Sequence, residues 1–200
     1  CGSSLLRGRC VTTGLNCRCS WAVAELSGSS CLTAGKKRVF LRNSRLTPLQ
    51  VDFLAAFFRR ESRFFLTGGA ALSGFHLGHR ETRDLDLFTL EDILDEGALE
   101  VSAVARELGA TVESIQTAPD FRRLLFQRGG EAVLIDLVRD RVVQLVSEKP
   151  IIGGIRVDLP EEILANKLCA LLSRAEIRDL VDVRALEAAG YKVENAIRTA

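Results

Sequence analysis

Residues Asp84-Leu85-Asp86-Leu87-Phe88 alternate acidic and apolar side chains at period two. Alternate side chains of a strand share a face, so Asp84 and Asp86 point the same way with Cα atoms roughly 6.5–7 Å apart. Leu85 and Leu87 point the other way, toward a core. Two carboxylates on one face repel each other unless a cation lies between them. Mg²⁺ suits such a pair, because it binds through one or two carboxylates and fills its other positions with water and phosphate. Read by itself, the pair fits equally well a solvated edge strand carrying two surface acids.

A second pattern precedes it. Phe64-Phe65-Leu66-Thr67 reads as a short buried strand, and Gly68-Gly69 follows directly. Glycine permits backbone geometry and close approach that a Cβ would block. Ala70-Ala71-Leu72 then opens a short helix over 70–78, whose free N–H groups favour phosphate. Taken alone, Gly-Gly is an ordinary strand-to-helix turn.

The remaining elements follow from local signals. Thr47-Pro48-Leu49-Gln50 is a capping box with proline at the first helical position, which predicts a helix to about Arg60. A helix is predicted over 91–108 from an imperfect apolar stripe. Strands follow at 110–117, 121–127 and 131–139, with Gly129-Gly130 as the turn between the last two. Ile155-Arg156-Val157-Asp158 reads as a final short strand. Pro160-Glu161-Glu162 starts a helix to about Leu172. Ser173-Arg174-Ala175-Glu176 is a capping-box pattern for another, ending near Gly190. On spacing alone, Arg178 and Asp182 form an i,i+4 ion pair on that last helix.

Asp136 lies in Glu131-Ala132-Val133-Leu134-Ile135-Asp136-Leu137-Val138, a run apolar on both faces but for that residue. A buried carboxylate needs a cation, hydrogen bonds or a shifted pKa, and a structural pair with an arginine would also serve. Asp140 is a second candidate third acid, but within Arg139-Asp140-Arg141 it reads as a salt-bridge partner of its neighbours.

The hydrophobic-Gly-Gly, spacer, Asp-x-Asp layout resembles the nucleotidyltransferase motif of the DNA polymerase β superfamily. More narrowly, the segment Phe64 to Leu72, the pair His79-Arg80 and Thr82-x-Asp84-Leu85-Asp86-Leu87-Phe88 resemble the AbiEii/AbiGii toxin family over about residues 45 to 195. The resemblance implies an α+β nucleotidyltransferase (polymerase β-like) fold, a mixed sheet flanked by helices with a C-terminal helical portion. It implies metal binding by Asp84, Asp86 and Asp136, with Mg²⁺ or Mn²⁺ as cofactor. Thr67, Gly68, Gly69, Arg80, Thr82, Lys167 and Arg178 would hold an NTP. Lys167 and Asp179 join the three acids as catalytic residues, while Asp182 is assigned a structural part and His79 a place on the surface. The implied reaction moves NMP from an NTP to an acceptor hydroxyl, with the tRNA 3′ end favoured. The setting would be a toxin–antitoxin or abortive phage infection system with a cognate antitoxin partner. Two other readings stay open: a small-molecule enzyme of the aminoglycoside-modifying kind, and a nucleotide-binding domain without turnover.

Composition narrows the classes. A chain of 200 residues with 47% hydrophobic content can bury a core of one domain plus a helical addition. A formal net charge of +1 gives no global electrostatic case for nucleic acid. Arg59-Arg60 and Arg122-Arg123 read as solvated arginines at element ends. No apolar run is long enough to span a membrane. Five of the six cysteines lie within the first 31 residues, at spacings that fit no four-ligand zinc site. A cytoplasmic protein would keep those thiols reduced. The division expected is 1–44 as a disordered leader or non-native segment, 45–158 as the nucleotidyltransferase core and 159–200 as a C-terminal helical region. Arg198-Thr199-Ala200 has no terminating signal, so truncation there is also expected.

Overall fold

The computed structural model describes residues 44–174 and 176–199. The expectation for residues 1–44 therefore falls, but for Ser44, outside the described residues.

Helix α1 (Pro48–Arg60) begins as its capping box requires: the Thr47 side chain accepts from the Gln50 backbone, and the Gln50 side chain accepts from the Thr47 backbone. It buries Leu49, Phe53, Leu54 and Phe57 completely. Strand β1 (Phe65–Thr67) runs straight into a helical segment, α2 (Gly68–Ala71) followed by a π-helical stretch, Leu72–His76. That segment starts two residues before the expected position and widens as it ends, with Leu77 N donating to Leu72 O. β2 (Asp84–Thr89) and α3 (Leu94–Leu108) come next, then β3 (Thr111–Ala118), β4 (Phe121–Arg128) and β5 (Glu131–Arg139). Gly129 and Gly130 both have positive φ, 58° and 84°, as the tight β4–β5 turn demands.

These strands form one five-stranded sheet in the order β1-β2-β5-β4-β3. Only β2 and β5 are parallel; the other neighbours are antiparallel. The sheet is mixed and carries helices, as expected for this α+β fold. One face packs on α1 and α3, where Leu85, Leu87, Ile135 and Leu137 are fully buried.

Beyond the sheet, β6 (Ile151–Ile152) pairs with β7 (Ile155–Arg156), and Val157 bridges Leu66 in parallel. The expected strand at 155–158 thus becomes half of a small hairpin, and β6 had no sequence signal. α4 (Pro160–Ser173), α5 (Ile177–Ala188) and α6 (Val193–Thr199) complete the described chain. The expected capping box before α5 is not formed. Ser173 stays in α4 and its hydroxyl donates back to Ala170 O, so α5 starts after Glu176 with no side-chain cap.

Candidate active site

Strand register assembles the site. Thr67 on β1 pairs with Asp86 on β2, Asp86 with Asp136 on β5, and Asp136 with Arg123 on β4. Directly paired residues project to the same face, so these four form a row across the sheet. Asp84 shares that face two residues along β2. Helix α4 lies over it and presents Lys167, while Arg174 and Arg178 reach in from the α4–α5 corner.

Gly68 and Gly69 let the backbone pass close to this row. Gly68 adopts φ +64°, and a Cβ there would fall 2.2 Å from Asp86 Oδ2. A Cβ on Gly69 would fall 2.5 Å from Arg80 Nη2. Thr67 donates its hydroxyl proton to Asp158 Oδ2 at 2.7 Å, so only its lone pairs remain for a ligand. Asp158 is itself buried. Burial raises its pKa, against the pull of Lys149, which contacts it at 2.8 Å.

The acids divide sharply in their partners. The Asp86 carboxylate accepts no hydrogen bond from any described residue; burial first, then the charge of Asp136, pushes it up to about 6. Asp136 is gripped by Arg123 through two bonds of 2.8 and 2.6 Å. Asp84 Oδ2 is 3.0 Å from Arg178 Nη1. Among the described residues no group of three ligand-type side chains stands ready to surround a cation. The donor chemistry nevertheless fits a hard divalent ion at Asp84 and Asp86: oxygen ligands on one face, one carboxylate without a donor, and room for phosphate oxygens beside them. Asp136 would join only if Arg123 released it.

A buried ionic cluster supports the cationic side. Asp182 is fully buried and accepts from Arg80 Nε (2.6 Å), Arg80 Nη2 (2.8 Å) and His79 Nε2 (2.8 Å), with Lys167 Nζ 2.9 Å away. Burial works to raise its pKa, yet these partners hold it far below the usual carboxylate range. Asp179, also buried, takes Lys167 Nζ at 2.7 Å and Arg174 Nε at 3.0 Å. Burial opposes ionisation there too, and Arg174 and Lys167 still bring the pKa down.

Several expectations change here. Arg178 does not pair with Asp182; it bridges Asp84 and Glu176, because Asp182 faces inward to Arg80 and Lys167. His79 is not a surface residue: its side chain is 12% exposed and bound to Asp182. Asp140 pairs with neither Arg139 nor Arg141; it accepts from Val142 N and Gln144, while both arginines turn to other acids. Arg123 is no solvated strand end but Asp136's partner. Thr82 lies at the rim, its hydroxyl 3.4 Å from Asp84 O. Arg123 and Arg174 are cleft residues that reading the sequence missed. For Arg123 the hairpin register held the signal: a two-residue turn at 129–130 sets Arg128 opposite Glu131 and so Arg123 opposite Asp136.

The family described as "Nucleotidyl transferase AbiEii toxin, Type IV TA system" matches residues 52–200. The chain belongs to this AbiEii family. Among solved structures, JHP933 from Helicobacter pylori is similar at 22% identity and TM-score 0.57, with 72% of this chain covering 64% of that one. MenT4, a nucleotidyltransferase toxin from Mycobacterium tuberculosis H37Rv, is similar at 22% identity and TM-score 0.55, over 75% of this chain and 60% of its own. The AbiEii chain thus spans less than two thirds of the length of either structure, and likeness at this identity establishes the fold. No curated protein matches it. Among the described residues no helix is long and apolar enough to cross a membrane.

Proposed function

We propose that this AbiEii chain is a metal-dependent nucleotidyltransferase, the toxin of a toxin–antitoxin pair acting in the cytoplasm, which transfers NMP from an NTP to an acceptor hydroxyl. The observation that carries the reading is the row Thr67, Asp86, Asp136 and Arg123 under Lys167, with Asp84 beside it. It places acidic oxygens and cationic donors around one cleft.

Asp84 and Asp86 would hold Mg²⁺ or Mn²⁺. That ion, when bound, neutralises charge on the phosphates and on the departing pyrophosphate. Lys167 has two of its three N–H donors directed at Asp179 and Asp182, which leaves the third for a phosphate oxygen. Arg174, Arg178 and Arg80 add positive charge around the triphosphate, and Gly68-Gly69 allows it to approach the backbone. The acceptor oxygen attacks the α-phosphorus, a new P–O bond forms, the bond to the β-phosphate oxygen breaks, and pyrophosphate leaves with that electron pair. The acceptor's proton goes to Asp136, which becomes a free base when Arg123 turns from it to phosphate.

The narrow inner cavity, of about 80 Å³, is lined by Arg80, Arg123, Lys167, Arg174 and Arg178 against Asp84, Asp86, Asp136 and Asp179. Five cations against four acids suit the triphosphate of the NTP. The tRNA 3′ end is the acceptor we propose, on the strength of the family resemblance, and a cognate antitoxin is the proposed protein partner.

Label transfer tests this. The protein is incubated with Mg²⁺, each α-labelled NTP in turn and total tRNA, with the Asp84→Ala/Asp86→Ala protein as control. Label on tRNA from the wild type alone is the expected result. Labelled small molecules without labelled tRNA would overturn the acceptor, and NTP binding without any transfer would support the non-catalytic reading.

A further inference from the structure

A second row runs beside the polar one. Two residues further along β2, β5 and β4, on the same face, lie Phe88, Val138 and Phe121, paired in register as Phe88–Val138 and Val138–Phe121. All three are half-exposed toward the cleft, unlike the fully buried leucines of the opposite face. They floor a cavity of about 360 Å³ that continues from Asp86, Asp136 and Arg123. The cleft therefore has a charged end and an apolar end, offset by one strand step of roughly 6.5–7 Å, and they meet where the Arg123 guanidinium lies 5.4 Å from the Phe121 ring centroid.

Helix α4 roofs both ends. Ile163, Asn166, Lys167 and Ala170, at i, i+3, i+4 and i+7, face the cavity. Lys167 belongs to the charged end. Asn166 lies one position before it, exposed, and its side-chain amide makes no hydrogen bond to any described residue. Its amide offers both donors and an acceptor in one plane, the complement of a nucleobase edge.

We propose that the Phe88–Val138–Phe121 row seats the base of the incoming NTP and that Asn166 reads its edge. This rests on the nucleotidyltransferase reading above. A flat π face against apolar side chains is favourable for any base, so the floor supplies affinity without choice. Choice then falls to the polar group within reach, and Asn166 is the uncharged amide that the cavity wall provides. With the triphosphate at Asp86, Lys167 and Arg174, the sugar spans the step between the two rows.

The test is calorimetric titration of the full chain, in Mg²⁺, with the α,β-methylene analogues of ATP, GTP, CTP and UTP, and separately with tripolyphosphate. The wild type is expected to prefer one base by about tenfold or more. Asn166→Ala should weaken that analogue by about threefold to tenfold and bring the four closer together, since one or two hydrogen bonds are lost. Its tripolyphosphate affinity should not change. Asn166→Asp, which exchanges a donor for an acceptor, should alter which base is preferred. Phe121→Leu should weaken all four analogues together.

If Asn166→Ala keeps the wild-type preference, or loses tripolyphosphate as well, the base is read elsewhere and this inference fails while the catalytic reading stands. If the wild type binds tripolyphosphate but ranks the four analogues equally, the inference also fails. If the wild type binds neither analogue nor tripolyphosphate, the catalytic reading fails with it.

Discussion

Arg123 and Asp136 lie directly opposite each other on β4 and β5, and the guanidinium holds the carboxylate by two bonds, Nε to Oδ1 at 2.8 Å and Nη2 to Oδ2 at 2.6 Å. Asp136 is only 5% exposed, so removing the arginine leaves a buried carboxylate without its donors. Arg123→Ala should cost about 1–3 kcal/mol in urea denaturation. Adding Asp136→Asn to that variant should recover much of the loss, because the remaining side chain is neutral. The freed carboxylate of Arg123→Ala should also tighten Mn²⁺ binding, followed by electron paramagnetic resonance of the free ion. Unchanged Mn²⁺ affinity would mean that Asp136 has no access to the cation.

Gly68 is constrained twice, by φ +64° and by the approach of Asp86 Oδ2. Gly68→Ala combines backbone strain of about 1–3 kcal/mol with displacement of the Asp86 carboxylate. It should therefore lose both stability and NMP transfer. At Gly69 the backbone is not left-handed, and the intruding atom is Arg80 Nη2, which the buried Asp182 holds at 2.8 Å. Gly69→Ala should therefore act through the Arg80–Asp182 pair, at a cost of about 1–3 kcal/mol. Combined with Arg80→Ala it should add little further loss, whereas Gly68→Ala should add its full cost; additive losses for Gly69→Ala and Arg80→Ala in unfolding curves would contradict this assignment.

The parts of the site visible in the sequence are those carried by short-range periodicity. Alternation at 84–88 fixed which face Asp84 and Asp86 share, and the β2 burial pattern follows it. The glycine pair at 129–130 carried the β4–β5 register, and with it the Arg123–Asp136 pair, although Arg122-Arg123 read locally as a charged strand end. The contacts that sequence reading missed are long-range. Arg178 meets Asp84 across 94 residues, and Arg80 meets Asp182 across 102. A pattern of i,i+4 charges cannot anticipate which helical face turns inward, since burial of Asp182 against Arg80, His79 and Lys167 decided that. The false capping box at Ser173 has a local origin instead: α4 extends to Ser173, and its hydroxyl donates to Ala170 O three residues back.

Asp86 is pushed up by burial first and then by the negative charge of Asp136 and Asp84, which Lys167 and Arg174 offset only in part. Asp86→Asn removes that repulsion and keeps the shape. It should leave stability unchanged or raise it by up to about 1 kcal/mol, where a buried polar residue with good partners would lose. NMP transfer should fall by about 10²-fold or more. Chelation of divalent ions should abolish transfer in the wild type, and Mg²⁺ or Mn²⁺ should restore it. A variant that is destabilised but still active would reverse the assignment.

Asp182 gives the acid-sensitive part of the fold. Its pKa is depressed in the folded state, whereas an unfolded aspartate titrates near about 3.9. A depressed carboxylate contributes stability that is fully present above the unfolded value and is lost as pH falls below it toward the folded one. Asp179, depressed as well, acts in the same direction, while Asp86 and Asp158, both raised, gain stability on protonation and act against it. The comparison of wild type with Asp182→Asn separates Asp182 from the others. At neutral pH that variant should lose about 3–5 kcal/mol, since the cations Arg80 and Lys167 are left facing a neutral amide in place of their buried counter-charge. The gap should be constant above about pH 5 and should shrink as pH drops through about 4 toward 2. Urea denaturation at several pH values measures it directly. A gap that stays constant down to pH 2 would mean that packing, rather than the ionised carboxylate, makes Asp182 necessary. The same variant releases Lys167 from one of its two anchors, so its NTP affinity should fall even at pH values where the protein remains folded.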